Sequence, residues 1–297
     1  MKIETIEFNG WQQCVRLAND EVELIVTTAV GPRIVRAGFI GERNLFAELD
    51  GQGGSGEDDW MIRGGHRFWI APEKKPDTYE LDNIPIQTEA LSDGVRTIQA
   101  KGPLSGMVKE LEIRLAPDAN RVTVTHRLTN ASGKTATLAP WALSVMAPDG
   151  MAIIPLPAKI PHTERLTHNQ EWSIWGYTDL TDPRWTFGSR YVFFRQDRTR
   201  GPTKLGIAHR EGWIAYQLDE FLFVKHFEWQ AGAAYPDGGV NFETFSNEQM
   251  LEIESLGPLV ALEAGASVQH VERWDLHRNV DPVKTEDDAD ALIRPLV

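Results

Sequence analysis

Apolar and polar positions alternate with a period of two along most of the chain, the mark of half-buried strands. Leu111, Ile113 and Leu115 are interleaved with Glu110, Glu112 and Arg114. The segment Pro117-Asp118-Ala119-Asn120 turns the chain, and Val122, Val124, His126 and Leu128 form the next apolar face. His126 reads as a satisfied core histidine. Residues 22–26 are rich in branched side chains and are followed, after Gly31-Pro32, by a second run over 34–40 that stops at Gly41. Further strands are expected over 135–146, 190–195, 204–209, 212–218 and 221–229. A last pair is expected between 250–255 and 267–276. Residues 160–190 are irregular and aromatic, and no 3.6-residue periodicity persists beyond about three turns before 285–293. Short strands spaced by about 8–12 residues predict an all-β protein, a large sandwich of antiparallel strands. Residues 1–280 are read as one domain and 281–297 as a peripheral acidic tail.

Composition narrows the function classes. In 297 residues, 41% hydrophobic content is enough for a sizeable core. A net charge of −13 with no lysine/arginine cluster argues against nucleic acid. The one cysteine, Cys14, excludes an internal disulfide and a cysteine-based zinc site. No apolar run is long enough to span a bilayer, and the first residues lack a signal-peptide core, so a cytoplasmic protein without membrane contact is expected. Ten tryptophans suit a large core and also suit stacking on sugar rings.

Three stretches carry candidate chemistry. In residues 235–258, YPDGGVNFETFSNEQMLEIESLGP, the alternation puts Leu251 and Ile253 on one face and Met250, Glu252 and Glu254 on the other. Asp237, Asn241, Glu243 and Glu254 then fall within one hairpin-like unit able to aim several oxygens at a polyhydroxylated ligand. In residues 63–73, RGGHRFWIAPE, paired glycines let the backbone approach a ligand, and His66, Arg67 and Trp69 follow. His66 could move a proton and Arg67 could hold a hydroxyl or carboxylate; equally, this is a Gly-Gly turn with His66 capping a strand and Arg67 paired to Glu73. Lys225 shares a strand face with Phe223 and Phe227, as a snorkelling surface group or a buried cation facing the cleft. The glycine-rich acidic loop 51–59 reads as a lid or a connection. No HxH, HExxH, EF-hand, Walker or GxSxG pattern occurs, so no metal or cofactor is expected, although Asp237, Asn241 and Glu243 are oxygen donors of the type calcium accepts.

In order along the chain, TTAVGPRIVRAGFIGERNLF, GGHRFWIAPE, VTHRLTNASGKTATLAPWALSVM, YPDGGVNFETF and MLEIESLGPLVALEAGASVQHVERWDL resemble the galactose mutarotase-like (aldose 1-epimerase) superfamily from about Val22 to Leu276. The resemblance implies a β-supersandwich of large antiparallel sheets with a sugar site on one sheet. In such epimerases a carboxylate takes the proton of the anomeric hydroxyl while an acid, usually histidine, protonates the ring oxygen. By position Glu254 matches the base and His66 an early histidine of the site. Where the family's acid is expected, the chain reads LAPWALSVM, with Trp141 at or near that position, and an indole is no acid at neutral pH. His66, Lys225 or His226 would then have to serve, or the protein is not a mutarotase.

The first expectation is an anomer-interconverting enzyme with Glu254 and His66 catalytic and Arg63, Arg67, Trp69, Trp141, Lys225, Asp237, Asn241 and Glu243 binding substrate. The alternatives are a non-catalytic carbohydrate-binding protein, or lyase chemistry on an acidic sugar clamped by Arg63, Arg67 and Lys225. The partner expected is a small carbohydrate; a homodimer through sheet edges stays open.

Overall fold

The period-two pattern becomes 21 strands in two antiparallel sheets, one of eleven strands and one of ten. A computed structural model describes the whole chain, Met1–Val297. In the first sheet the central order is Arg33–Phe39, Gly65–Ala71, Ala136–Met146, Leu251–Leu256, Phe242–Ser246 and Thr203–Ile207. The second is centred on Trp213–Leu218, Phe221–Phe227, Ser267–His277 and Arg121–Asn130. A cluster of 41 buried apolar side chains joins the inner faces, among them Phe68, Ile70, Leu251, Ile253 and Phe242 from the first sheet and Phe223, Trp274, Val124 and Leu128 from the second. Packing of this kind locks two sheets face to face. No helix is long and apolar enough to cross a membrane.

Four points of the sequence reading need correction. The segments 250–255 and 267–276 do not pair. Leu251–Leu256 pairs with Ala136–Met146 and Phe242–Ser246 in the first sheet, whereas Ser267–His277 lies in the second, between Phe221–Phe227 and Arg121–Asn130. Residues 160–190 contain two short strands, Trp172–Ile174 and Trp185–Phe187, each adding an edge to a different sheet. An N-terminal hairpin, Lys2–Phe8 with Trp11–Ala18, was not anticipated. Its first strand is an edge with no fully buried residue, so its alternation is faint.

The acidic tail is not peripheral. Helix Glu286–Leu292 is capped by Thr285 and Asp288 in a reciprocal box, and its Ala289, with Val283 and Ile293, is buried against Met151, Ile153, Tyr191 and Trp213 on the outer face of the second sheet. Arg190 reaches its carboxylates Asp287 and Asp290. Replacing Ile293 by Ala removes a fully buried side chain from this seam and is expected to cost about 3 kcal/mol. Urea unfolding measures it; an unchanged midpoint would mean that the tail does not contribute to the folded unit.

Candidate functional site

Residues directly opposite one another in a sheet share a face, so strand register alone assembles a site on the outer face of the first sheet. One row runs Arg67, Leu143, Glu254, Glu243 across four strands. The next runs Val145, Glu252, Phe245, Lys204. A third pairs Trp69 with Trp141.

These rows floor two adjoining cavities of about 220 and 280 Å³ that share Glu73, Tyr79 and Trp141. Arg67, Trp69, Lys204 and Glu252 line the first; Trp175, Asp237 and Glu243 line the second. The walls are aromatic: Trp69 lies 5.3 Å from Trp141, 5.0 Å from Tyr79 and 5.2 Å from Trp60, centre to centre. The Lys204 ammonium sits 4.9 Å from the rings of both Trp141 and Trp175. It contacts Glu243 Oε2 at 2.6 Å and Glu254 Oε2 at 3.2 Å. Trp141 Nε1 donates to the same Glu254 oxygen at 2.9 Å. Arg67 donates to Glu252 at 2.8 Å and stacks 4.5 Å from the Trp69 ring.

The charges do not balance pairwise. Arg67 neutralises Glu252, but Lys204 faces two carboxylates, Glu243 and Glu254, both wholly buried. Burial raises both carboxyl groups, and for Glu243 the neighbouring Glu254 adds to the rise against the pull of Lys204. Burial acts to lower the Lys204 ammonium, yet Glu254 and Glu243 outweigh it and hold Lys204 above the ordinary lysine range. Fully ionised, the three groups would carry one uncompensated negative charge out of reach of water.

Of the ten residues singled out in the sequence, the structure places five on the cleft walls: Arg67, Trp69, Trp141, Asp237 and Glu243. Glu254 lies just beneath, covered by Trp141 and Lys204. The other four are elsewhere. Asn241 has both ends of its amide taken by the backbone of His209. Arg63 is turned to the glycine-rich loop, donating to the carbonyls of Gln52 and Gly54 and pairing with Glu57, so that loop is tied down and is not a free lid. The neighbouring glycines serve chain packing: with left-handed φ of +67° and +69°, a Cβ on Gly64 or Gly65 would meet the carbonyl oxygens of Ala47 and Ile34.

His66 and Lys225 point into the space between the sheets. His66 is adjacent to Arg67 on a strand, so the two face opposite ways. There His66 Nε2 lies 2.7 Å from His126 Nε2, and His66 Nδ1 2.9 Å from Ser144 Oγ. His126 Nδ1 faces the His270 carbonyl at 3.0 Å and must donate to it, which makes its Nε2 the acceptor and His66 Nε2 the donor. His66 Nδ1 then accepts from Ser144. Lys225 pairs with Glu272 at 2.9 Å and donates to the Ile253 carbonyl at 3.0 Å. Glu272 also accepts from Ser255 and Trp274. A tetrahedral metal would need the two nitrogens about 3.3 Å apart. A dication here would also leave the neutral Lys225–Glu272 pair with two excess buried charges. The arrangement fits a shared proton. His226, the remaining candidate acid, pairs with Asp275 at 3.2 Å on the second sheet.

Sequence reasoning missed Lys204, Tyr79 and Trp60. Trp175 and Tyr177, also on the cleft walls, belong to the aromatic stretch 160–190, where loop structure is the first reading and ligand contact the minor one. Lys204 is the second residue of a short strand, Thr203–Ile207, with no local pattern; only its cross-strand register with Phe245, two residues from Glu243, brings it to the site.

No family model and no curated protein matches the sequence. Solved structures do. The galactose mutarotase related enzyme of Lactobacillus acidophilus superposes with a TM-score of 0.58 at 10% identity, over 92% of this chain and 100% of the other. A galactose mutarotase-like protein of Lactobacillus casei gives 0.54 at 13% identity, over 89% and 100%. A candidate aldose 1-epimerase of Escherichia coli K12 gives 0.56 at 12% identity, over 90% and 99%. The chain has the galactose mutarotase-like fold. Identities this low carry the architecture alone, and the chemistry of this chain rests on its own side chains.

The buried histidines give the fold a pH dependence. Burial lowers His66 well below the ordinary histidine range, His126 and His209 to about 4 and His270 to about 3. The unfolded chain takes up protons at these positions near pH 6.5 while the folded chain does not, so their stabilising effect is complete above that pH and lost as pH falls towards 4. Each contributes a slope of up to about 1.4 kcal/mol per pH unit. Urea midpoints between pH 7 and 4 should fall steeply; a flat profile would show that the histidines titrate in the folded state.

Proposed function

We propose that the cleft binds a carbohydrate and interconverts its anomers by general acid/base ring opening, with Glu254 as the base. The observation that carries this reading is the buried Glu243–Lys204–Glu254 cluster beneath an aromatic cleft. Trp69, Tyr79 and Trp141 offer faces for a sugar ring, and Arg67, Glu252, Glu73 and Asp237 offer donors and acceptors for its hydroxyls. Glu254 Oε1 has no hydrogen-bond partner and is the oxygen available to take the anomeric proton. Ring opening breaks the bond between C1 and the ring oxygen as that oxygen gains a proton. The C1–C2 bond then rotates, and closure reverses both transfers. Because Trp141 and Lys204 cover Glu254, a sugar reaches it only when one of these side chains moves aside.

A second reading, carbohydrate binding without turnover, is favoured by that same cover: Trp141 stands where an acid is expected and binds Glu254 instead. Lyase chemistry on an acidic sugar loses its basis, since Arg63 and Lys225 lie outside the cleft and the three-cation clamp is not assembled.

Anomer exchange measured by NMR over a panel of aldoses separates the two readings. Glu254→Gln is expected to lower the rate at least about 100-fold. The melting-temperature rise that sugar causes in the wild type should persist in the variant, because binding to the native state stabilises it by mass action. Sugar binding with no exchange above the uncatalysed rate would establish the binding protein in place of the enzyme.

A further inference from the structure

We propose that Glu243 is the general acid of this cleft, giving a proton from its Oε1 to the sugar ring oxygen while Glu254 takes the anomeric proton. The inference rests on the anomerase reading and supplies its missing partner. No histidine lines either cavity. His66, His126 and His270 belong to the inter-sheet network, and His209 Nε2 is bound to the Pro155 carbonyl. The other cleft groups are poor donors. Burial and the bond to Glu73 raise the Tyr79 phenol beyond reach, and burial pushes Tyr177 up to about 12. Lys204 is held charged by two carboxylates. Glu252 is paired with Arg67, so it serves as an acceptor.

Glu243 differs from all of these in place and partners. It stands directly opposite Glu254 in the strand ladder, lines the second cavity and is fully buried. Neither of its oxygens makes a hydrogen bond, and only one has a charged neighbour. Oε2 faces the Lys204 ammonium at 2.6 Å, a contact that only an unprotonated oxygen makes. Oε1 has no partner in the protein and belongs to the carboxyl that lines the cavity, so it is the oxygen from which a proton can be handed to a bound sugar. The pair works as two like carboxyl groups driven apart by mutual repulsion, one ionised and one protonated, as base and acid require. In the forward step Glu254 gains the anomeric proton, the bond from C1 to the ring oxygen breaks towards oxygen, and that oxygen takes the Glu243 proton. Closure returns both protons, so the cluster ends as it began.

The test measures anomer exchange against pH in wild type, Glu243→Gln and Glu243→Asp, with melting curves confirming that each variant folds. Glu243→Gln should lower kcat at least about 100-fold with KM within about threefold of wild type, and Glu243→Asp should recover part of the loss. The wild-type rate should fall on the alkaline side as Glu243 loses its proton, and the residual rate of Glu243→Gln should lack that limb. A merely structural Glu243 would leave the limb in place. The proposal is overturned if Glu243→Gln stays within about threefold of wild type while Glu254→Gln is inactive, or if the alkaline limb survives in Glu243→Gln. A wild type that exchanges no aldose removes the anomerase reading itself, and this acid with it, a result distinct from either of those.

Discussion

A buried ammonium has to be neutralised where it stands, and two of them bracket the strand Leu251–Leu256. Lys204 lies on its outer side against Glu243 and Glu254; Lys225 lies on its inner side against Glu272 and the Ile253 carbonyl. Taking such charges out of water costs several kcal/mol each, offset only when partners are close and well oriented. The inner pair is complete in itself, with Ser255 and Trp274 satisfying the remaining capacity of Glu272. The outer set carries one carboxylate too many. That difference separates scaffold from chemistry: the same strand is anchored from behind by a balanced pair and carries an unbalanced one in front.

The strands were legible because alternation depends only on the backbone period. Leu111 to Leu115 and Val122 to Leu128 became strands with their apolar sides in the core. Which strands pair is a different matter. Leu251–Leu256 and Ser267–His277 are neighbours in sequence, but an apolar face on each lets both contribute to the core from opposite sheets, and nothing local says which. The N-terminal edge strand was invisible because an edge has little to bury.

The site was legible in part, for a reason specific to strands. The run from Asp237 to Glu254 folds as the hairpin expected and puts Glu243 against Glu254. His66 and Arg67 were assigned together to one cleft, yet adjacent strand residues cannot share a face. Alternation also fails to say which face is the cleft when both faces are buried, and Gly65–Ala71 is buried throughout. Lys225, flanked by Phe223 and Phe227, follows their face into the core. Lys204 could not be found at all, since its role exists only in the register between Thr203–Ile207 and Phe242–Ser246.

Trp141 then takes on a definite physical role. An indole N–H gives Glu254 one neutral hydrogen bond, whereas an imidazolium at the same point would give it a full opposite charge and draw its carboxyl down. With indole there, the one cation in contact with Glu254 is Lys204, and Lys204 is shared with Glu243. A single cation between two desolvated carboxylates leaves one of them to hold a proton. The substitution that removes the expected acid is thus compatible with a second one arising beside it, provided a carboxylate stands opposite Glu254 in the ladder. Glu243 is that carboxylate.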